Sequence, residues 1–423
     1  MVGAGAMLVH DVRIFDGVEV IPHGSVLVED GQITAVGDLS DAPPGTELID
    51  GRGRTLLPGL IDCHTHSFPG TPIQALAFGV TTELDMFSCP RLAATLRARA
   101  AAWDGMADVR SAGTGATAPG GYPWSLVERG VYPPFPTLSR PEEAAGFVRD
   151  RLAEGSDYLK VIVEDGSVYQ RRLPQLPPEV LAALAAAAHA ADRLAVAHVS
   201  TRADAALAVE AGVDVLAHAF VDVPADAEFV ATAVRAGIAV VATLAMLEGA
   251  CGGVGGRALA ADPRVRPYLE ARSLGGLTAK EPPDPAGGST ASGTGKAARL
   301  TVALESVAAL RAAGVPVLAG SDTPNSGTAA GASLHRELEL LVRAGLTPVE
   351  ALAAATAAPA RCFGLAGRGR IAPGCQADLL LVDGDPTTDI LATRSIVSVW
   401  RRGVRFNRAV YRRGLEIRAA SAR

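Results

Sequence analysis

The sequence predicts an α/β fold: a (β/α)8 (TIM) barrel carrying a small β-sandwich built from both chain ends. Three observations support it. Between Leu60 and about Gly369, apolar strand-like runs alternate with alanine-rich helical runs, the pattern of βαβ units around a parallel sheet. Eight such runs without a sequence repeat favour a closed barrel over an open, doubly wound sheet. Both ends read as short strands with turn punctuation, and neither has enough strands to bury a sheet face alone. The boundaries that follow are 1–58 with 370–423 for the composite unit and 59–369 for the barrel.

In the first unit, Leu8 to His10, Val12 to Phe15, Gly24 to Glu29 and Ile33 to Val36 alternate as strands, broken at Asp16-Gly17 and Asp30-Gly31. Aspartate followed by glycine suits the positive φ of tight hairpin turns. The matching set at the far end is Asp378 to Asp385, Ile396 to Trp400 and Gly403 to Phe406. His10 and His23 fall in this unit and read as surface or structural histidines. The eight central strands are expected at Leu60 to His66, Thr81 to Phe87, Val109 to Thr117, Tyr158 to Glu164, Ala195 to Ser200, Val215 to Phe220, Ala239 to Met246 and Val315 to Asp322. Helices follow them, such as Pro178 to Arg193 with proline in its first turn and Ala203 to Ala211 stopped by Gly212.

Composition narrows the function. Apolar residues are 48% of the 423 and aromatics only 4%, so the core is expected to consist of small and branched aliphatic side chains. A net charge of −6 with mixed signs argues against nucleic-acid and membrane partners, leaving a small-molecule substrate; a homo-oligomer is left open. The five cysteines are scattered and never form Cys-X-X-Cys, which indicates neither a disulfide framework nor a zinc knuckle. The first residues lack the pattern of a signal peptide, and the apolar run Val180 to Ala191 is too short to span a bilayer. A reducing, cytoplasmic location is the expectation.

The chemistry is expected where barrel strands end. His64 and His66, two apart on the first strand, point the same way and can offer two nitrogens to one metal ion, although such a pair can also simply hydrogen-bond. On strand four, Lys160 sits among residues that want burial; it must be paired, for instance with Asp157 or Glu164, or chemically changed. His198 ends strand five, His218 ends strand six and Asp322 ends strand eight. Each alone has an ordinary structural reading, the aspartate as a helix cap. All six at one end of one barrel do not. His189, within an alanine tract, is read as structural.

With these residues and the lead-in Leu57-Pro58-Gly59-Leu60-Ile61-Asp62, the chain resembles the amidohydrolase superfamily of metal-dependent hydrolases. It looks closest to the imidazolonepropionase-like and Xaa-Pro dipeptidase (prolidase) branch. The resemblance also takes in the split β unit and the segments Leu334 to Leu338 and Gly345 to Pro348. It implies two divalent ions, zinc by expectation: one on His64, His66 and Asp322, the other on His198 and His218, with Lys160 bridging both as a carbamate formed with carbon dioxide. A water bridging ions about 3.5 to 4 Å apart would be available as hydroxide near neutral pH. Asp322 would take its proton during attack and deliver it to the departing nitrogen, giving hydrolysis of an amide, dipeptide, lactam or carbamate C–N bond.

The glycine-rich loop Gly113 to Trp124 departs from that branch, where it commonly ends in histidine; here Tyr122 stands near that place. Tyr122, Trp124 and Tyr169 are candidates to line a substrate pocket, with Tyr122 and Tyr169 offering a hydroxyl to a carbonyl oxygen. Arg171 and Arg172 could recognise a carboxylate but read better as solvated. The segment 248–296, rich in glycine, proline, serine and threonine, is expected to be a mobile cover. Two rival functions are a deaminase of a nucleobase-like ring using one metal, which has little use for Lys160, and a non-catalytic assembly protein on the same barrel.

Overall fold

A computed structural model describes residues 5–39, 42–169, 171–279 and 293–421. The N-terminal strands are β1 (Met7–Phe15), β2 (Val20–Glu29), β3 (Gln32–Gly37), β4 (Glu47–Asp50) and β5 (Arg54–Pro58). The central strands are β6 (Leu60–Thr65), β7 (Val80–Asp85), β8 (Asp108–Ser111), β9 (Leu159–Ile162), β10 (Ala195–His198), β11 (Val215–Ala217), β12 (Ala239–Val241) and β13 (Val317–Leu318). The chain returns through β14 (Leu379–Asp383), β15 (Ile396–Arg401) and β16 (Val404–Arg405).

Both ends meet in one eight-stranded sheet, β16-β15-β14-β5-β1-β2-β3 with β4 on β1. The join is antiparallel between β5 and β14, where Leu56 lies opposite Leu381. The expected pair of strands before Phe15 is one strand with a bulge. Pairing runs Val9 to Val26 and then Val12 to Gly24, and Asp11 absorbs the extra residue at φ 53°.

The central strands run parallel in two sheets, β6-β7-β8 and β9 through β13. At one margin the His66 N–H donates to the Thr323 carbonyl (2.7 Å) and the Cys63 N–H to the Ala319 carbonyl (2.9 Å). At the other, the Ala116 N–H donates to the Lys160 carbonyl (2.8 Å), and Ala116 and Val161 form an isolated bridge. Alanine-rich helices such as Pro178–Ala190 and Arg202–Glu210 cover these sheets. Leu184, Ala185 and Ala188 pack with Ala195, Ala197 and Leu216 in one buried cluster, the aliphatic core that composition foretold.

Several strands are shorter than the sequence suggested. The third ends at Ser111 rather than Thr117, and the seventh at Val241 rather than Met246. In the seventh, Thr243 takes φ 50° and a helix begins at Leu244, so an apolar run long enough for a strand is divided between two elements. The segment expected as a cover is largely helical where described: Leu244–Ala250, Gly255–Ala261 and Ala271–Thr278. It is pinned by the partly buried pair Arg336 and Glu248 (2.6 Å); residues 280–292 lie outside the described residues. A C-terminal helix, Arg408–Ser421, was not anticipated. No described helix is long and apolar enough to cross a membrane.

Candidate metal centre

His64, His66, Lys160, His198, His218 and Asp322 all line one cavity of about 570 Å³ at the carboxyl ends of the parallel strands. Six residues spread over 259 positions of chain thus share one chamber. The local backbone is strained where it delivers them: His218 (φ 78°), Thr243 (φ 50°) and Asp322 (φ 49°) all occupy the left-handed region. Non-glycine residues accept that conformation only where surrounding structure holds them in it.

One half of the site is compact. The Nε2 atoms of His66 and His64 lie 3.1 and 3.5 Å from Oδ1 of Asp322, and one ligand atom from each of the three residues fits within 4.8 Å of the others. The other ring nitrogen of His66, Nδ1, is 3.2 Å from the Phe87 carbonyl. Such a contact fixes the tautomer and leaves Nε2 free to bind a metal. The other half is looser. His218 comes within 3.8 Å of Oδ2 of Asp322 and its ring lies 4.6 Å from that of His64 and 4.8 Å from that of His198. Thr243 Oγ1 holds His218 Nδ1 at 2.8 Å, and Glu164 Oε2 faces His198 Nε2 at 3.4 Å.

Lys160 is 2% exposed, and its Nζ has no hydrogen-bond partner among the described residues. The pairings open to it on sequence are taken: Asp157 binds Arg97 (2.8 Å), and Glu164 accepts from Ser200 and from the Gly166 N–H while facing His198. Burial lowers the Lys160 amine to about 7 despite the pull of Asp322 toward the charged form. Burial, then the positive charge of Lys160 and His218, holds His64 far below the usual imidazole range; burial, His198 and Lys160 do the same to His218. For His66, burial is outweighed by the Asp322 carboxylate and the value rises. Burial raises Glu164, but His198, Ser200 and the Gly166 N–H together bring it below the usual carboxylate value.

The donor set fits a metal. His64 Nδ1 and Lys160 Nζ are buried without a hydrogen-bond partner among the described residues, an expensive arrangement for a protein that keeps this cavity free of cations. Neutral imidazoles and a carboxylate are the forms in which these side chains ligate.

Of the proposed substrate residues, Tyr122 lines the cavity and stacks on His198 (ring centroids 5.0 Å apart). Trp124 packs on Phe135, and the side chain of Tyr169 lies outside the described residues. Arg171 and Arg172 are exposed and do not line the cavity. His10 and His23 face Asp11 at the surface, and His189 pairs with Asp214. Sequence reading missed the supports. Thr243 gave no signal, whereas Glu164, the charge that ends the strand-four run, was noticed only as a partner for the lysine.

The amidohydrolase family profile matches residues 55–405, and the chain belongs to that family of hydrolases. An imidazolonepropionase from Idiomarina loihiensis is 50% identical over 52 residues, 12% of this chain and only 13% of that relative. Over nearly the whole chain the fold is similar to solved structures. A Xaa-Pro dipeptidase with bound methionine gives a TM-score of 0.76 at 20% identity, covering 95% of this chain and 100% of the other. A putative prolidase from Bifidobacterium longum gives 0.76 at 23% identity, covering 99% and 100%.

Proposed function

We propose that this amidohydrolase-family chain hydrolyses a carbon–nitrogen bond of a small molecule, an amide, dipeptide, lactam or carbamate, at a binuclear metal centre. The observation that carries the reading is Lys160: a buried amine without a hydrogen-bond partner among the described residues, in a cavity with four imidazoles and Asp322. The eight parallel strands and the contacts at both sheet margins support a closed barrel. The join of β5 to β14 supports a composite unit of residues 1–58 and 370–423.

His64, His66 and Asp322 would hold one ion and His198 and His218 the other. Two divalent ions, zinc by preference for this nitrogen and oxygen set, would supply a water ionised near neutral pH and a polarised carbonyl. A lysine near 7 is substantially neutral at physiological pH, so its nitrogen can attack carbon dioxide. The N–C bond would form, one proton would leave, and the carbamate would offer two oxygens sharing one negative charge where the free amine offers none. Asp322 accepts the proton of the attacking water and returns it to the leaving nitrogen. Tyr122, which lines the cavity and stacks on His198, would bound the substrate there.

The test is metal stoichiometry on protein prepared with bicarbonate and zinc. About two ions per chain, falling to about one in Lys160→Ala, is the expected result. One ion in both proteins would favour the second reading, a mononuclear deaminase. The compactness of the His64, His66 and Asp322 group is the observation on its side.

A further inference from the structure

The Phe87 carbonyl, two residues past the end of β7, meets two side chains that come from different parts of the chain. One is the His66 ring, whose Nδ1 lies 3.2 Å away. The other is the Tyr132 hydroxyl, which donates across 3.0 Å from the loop that follows β8. Among the described residues no backbone N–H donates to this carbonyl, because the ladder between β7 and β8 has already ended at Asp85 and Ser111. Burial, with the charges of Asp85 and Asp322, pushes the Tyr132 phenol well above its usual range, so it keeps the proton it donates.

The loop that brings Tyr132 is part of the cavity wall: Leu126, Val131 and Tyr132 line the same chamber as His66 and Asp322. It folds back on itself, with the N–H groups of Val131 and Tyr132 both donating to the Leu126 carbonyl (2.8 and 3.2 Å). A chain of edge-to-face rings runs inward from it, Trp124 to Phe135 (5.3 Å), Phe135 to Phe87 (5.2 Å) and Phe87 to Tyr132 (5.5 Å). Phe87 and Tyr132 also border a second cavity of about 220 Å³, so packing alone does not lock the phenol ring. The hydroxyl bond ties this loop to a proposed metal ligand through one shared acceptor.

We propose that Tyr132 is a positioning residue: through the Phe87 carbonyl it fixes the direction of the His66 ring, and so couples the loop of residues 121–139 to the hold on an ion at His64, His66 and Asp322. The proposal rests on the metal-centre reading, in which His66 Nε2 is a ligand. A carbonyl has two lone pairs and serves both donors at once. With both in place it cannot turn away from Nδ1, and the tautomer that leaves Nε2 free is held. Linkage makes the effect reciprocal: an ion that fixes His66 steadies the acceptor of Tyr132, and with it the loop.

The experiment compares the full wild-type chain with Tyr132→Phe, which removes the hydroxyl and keeps the ring. Zinc affinity is read by chelator competition, and the loop by the rate of tryptic cleavage after Arg129, an exposed residue followed by exposed Gly130. In Tyr132→Phe the ion on His64, His66 and Asp322 should bind about fivefold to tenfold more weakly, while the ion on His198 and His218 keeps its affinity. Zinc should slow cleavage of the wild type by the same factor, about fivefold to tenfold, and leave cleavage of Tyr132→Phe unchanged. In a His66→Ala background the Tyr132 substitution should no longer alter zinc affinity, since the second donor is already gone. Unchanged affinity or unchanged zinc protection in Tyr132→Phe would overturn the proposal and leave the metal centre standing. Equal weakening of both ions, or a full effect without His66, would also overturn it, because the substitution would then act by general loosening. A wild-type chain that binds no zinc would overturn the metal centre together with the proposal. Coupling as expected in a protein that releases no amine from any amide leaves the role of Tyr132 standing and counts against the hydrolase reading.

Discussion

The two halves of the proposed metal centre are built differently. Around His64 and His66, the carboxylate of Asp322 already lies 3.1 to 3.5 Å from both imidazoles, so charge complement and geometry are present in the folded chain. Around His198 and His218 the carboxylates are looser, Asp322 Oδ2 at 3.8 Å from His218 and Glu164 Oε2 at 3.4 Å from His198, while Thr243 holds His218 and the buried Lys160 amine lines the same cavity. In the first half, folding alone brings two imidazoles and a carboxylate within ligand distance of one another. The second has its nitrogen donors aimed and still needs negative charge, which a carbamate on Lys160 would provide. On the proposed binuclear reading, the chain fixes ligand direction by packing and hydrogen bonding and leaves part of the ligand charge to carbamylation after folding.

Breaking the complete half should cost most. Asp322→Asn keeps the side-chain shape but removes the proton acceptor, and kcat on any amide the wild type hydrolyses is expected to fall about 10²- to 10⁴-fold. A loss below tenfold would move the proton transfer to another group. The other half can be tested through its supports. Glu164→Gln and Thr243→Val should each weaken metal binding about tenfold to hundredfold, read by competition with a chromophoric chelator. Their effect should fall on the weaker-held ion and spare the ion on His64 and His66. Equal weakening of both ions would mean that the halves are not independent.

The smallest effect sharpens the contrast by leaving the site alone. Glu337, fully buried, accepts from the Ala245 N–H (2.7 Å) beside the helix that follows β12, and burial raises its carboxyl to about 8. Because this value lies above the unfolded 4.5, the folded state holds a proton that the unfolded chain has lost. The associated stability is full below about 4.5 and disappears as pH rises through about 8. Chemical unfolding of metal-free protein should therefore show stability decreasing between those limits from this group, with a shallower decrease in Glu337→Gln. An unchanged slope in the variant would remove Glu337 from the account.

Much of this molecule was legible before any coordinates. The histidine pair on one strand was visible because alternation is a local rule, and Lys160 because a charge inside an apolar run contradicts its surroundings. Family membership needed little more, since these marks sit at strand ends in the right order. Pairing of the two chain ends was expected from strand counting, as a small sandwich; the single eight-stranded sheet they form, the bulge at Asp11 and the abrupt end of the seventh strand at Val241 were not. Composition and periodicity do not reveal where a residue takes positive φ against its preference.

Sequence by itself determined which side chains could do chemistry and that they would fall at strand ends, because those properties depend on residue type and short-range spacing. Tertiary structure alone decided that Glu164 turns to His198 instead of Lys160, that Thr243 holds His218, and that Tyr132 and His66 meet at the Phe87 carbonyl. Those outcomes depend on distances between residues tens or hundreds of positions apart, which long-range packing sets and no local pattern encodes.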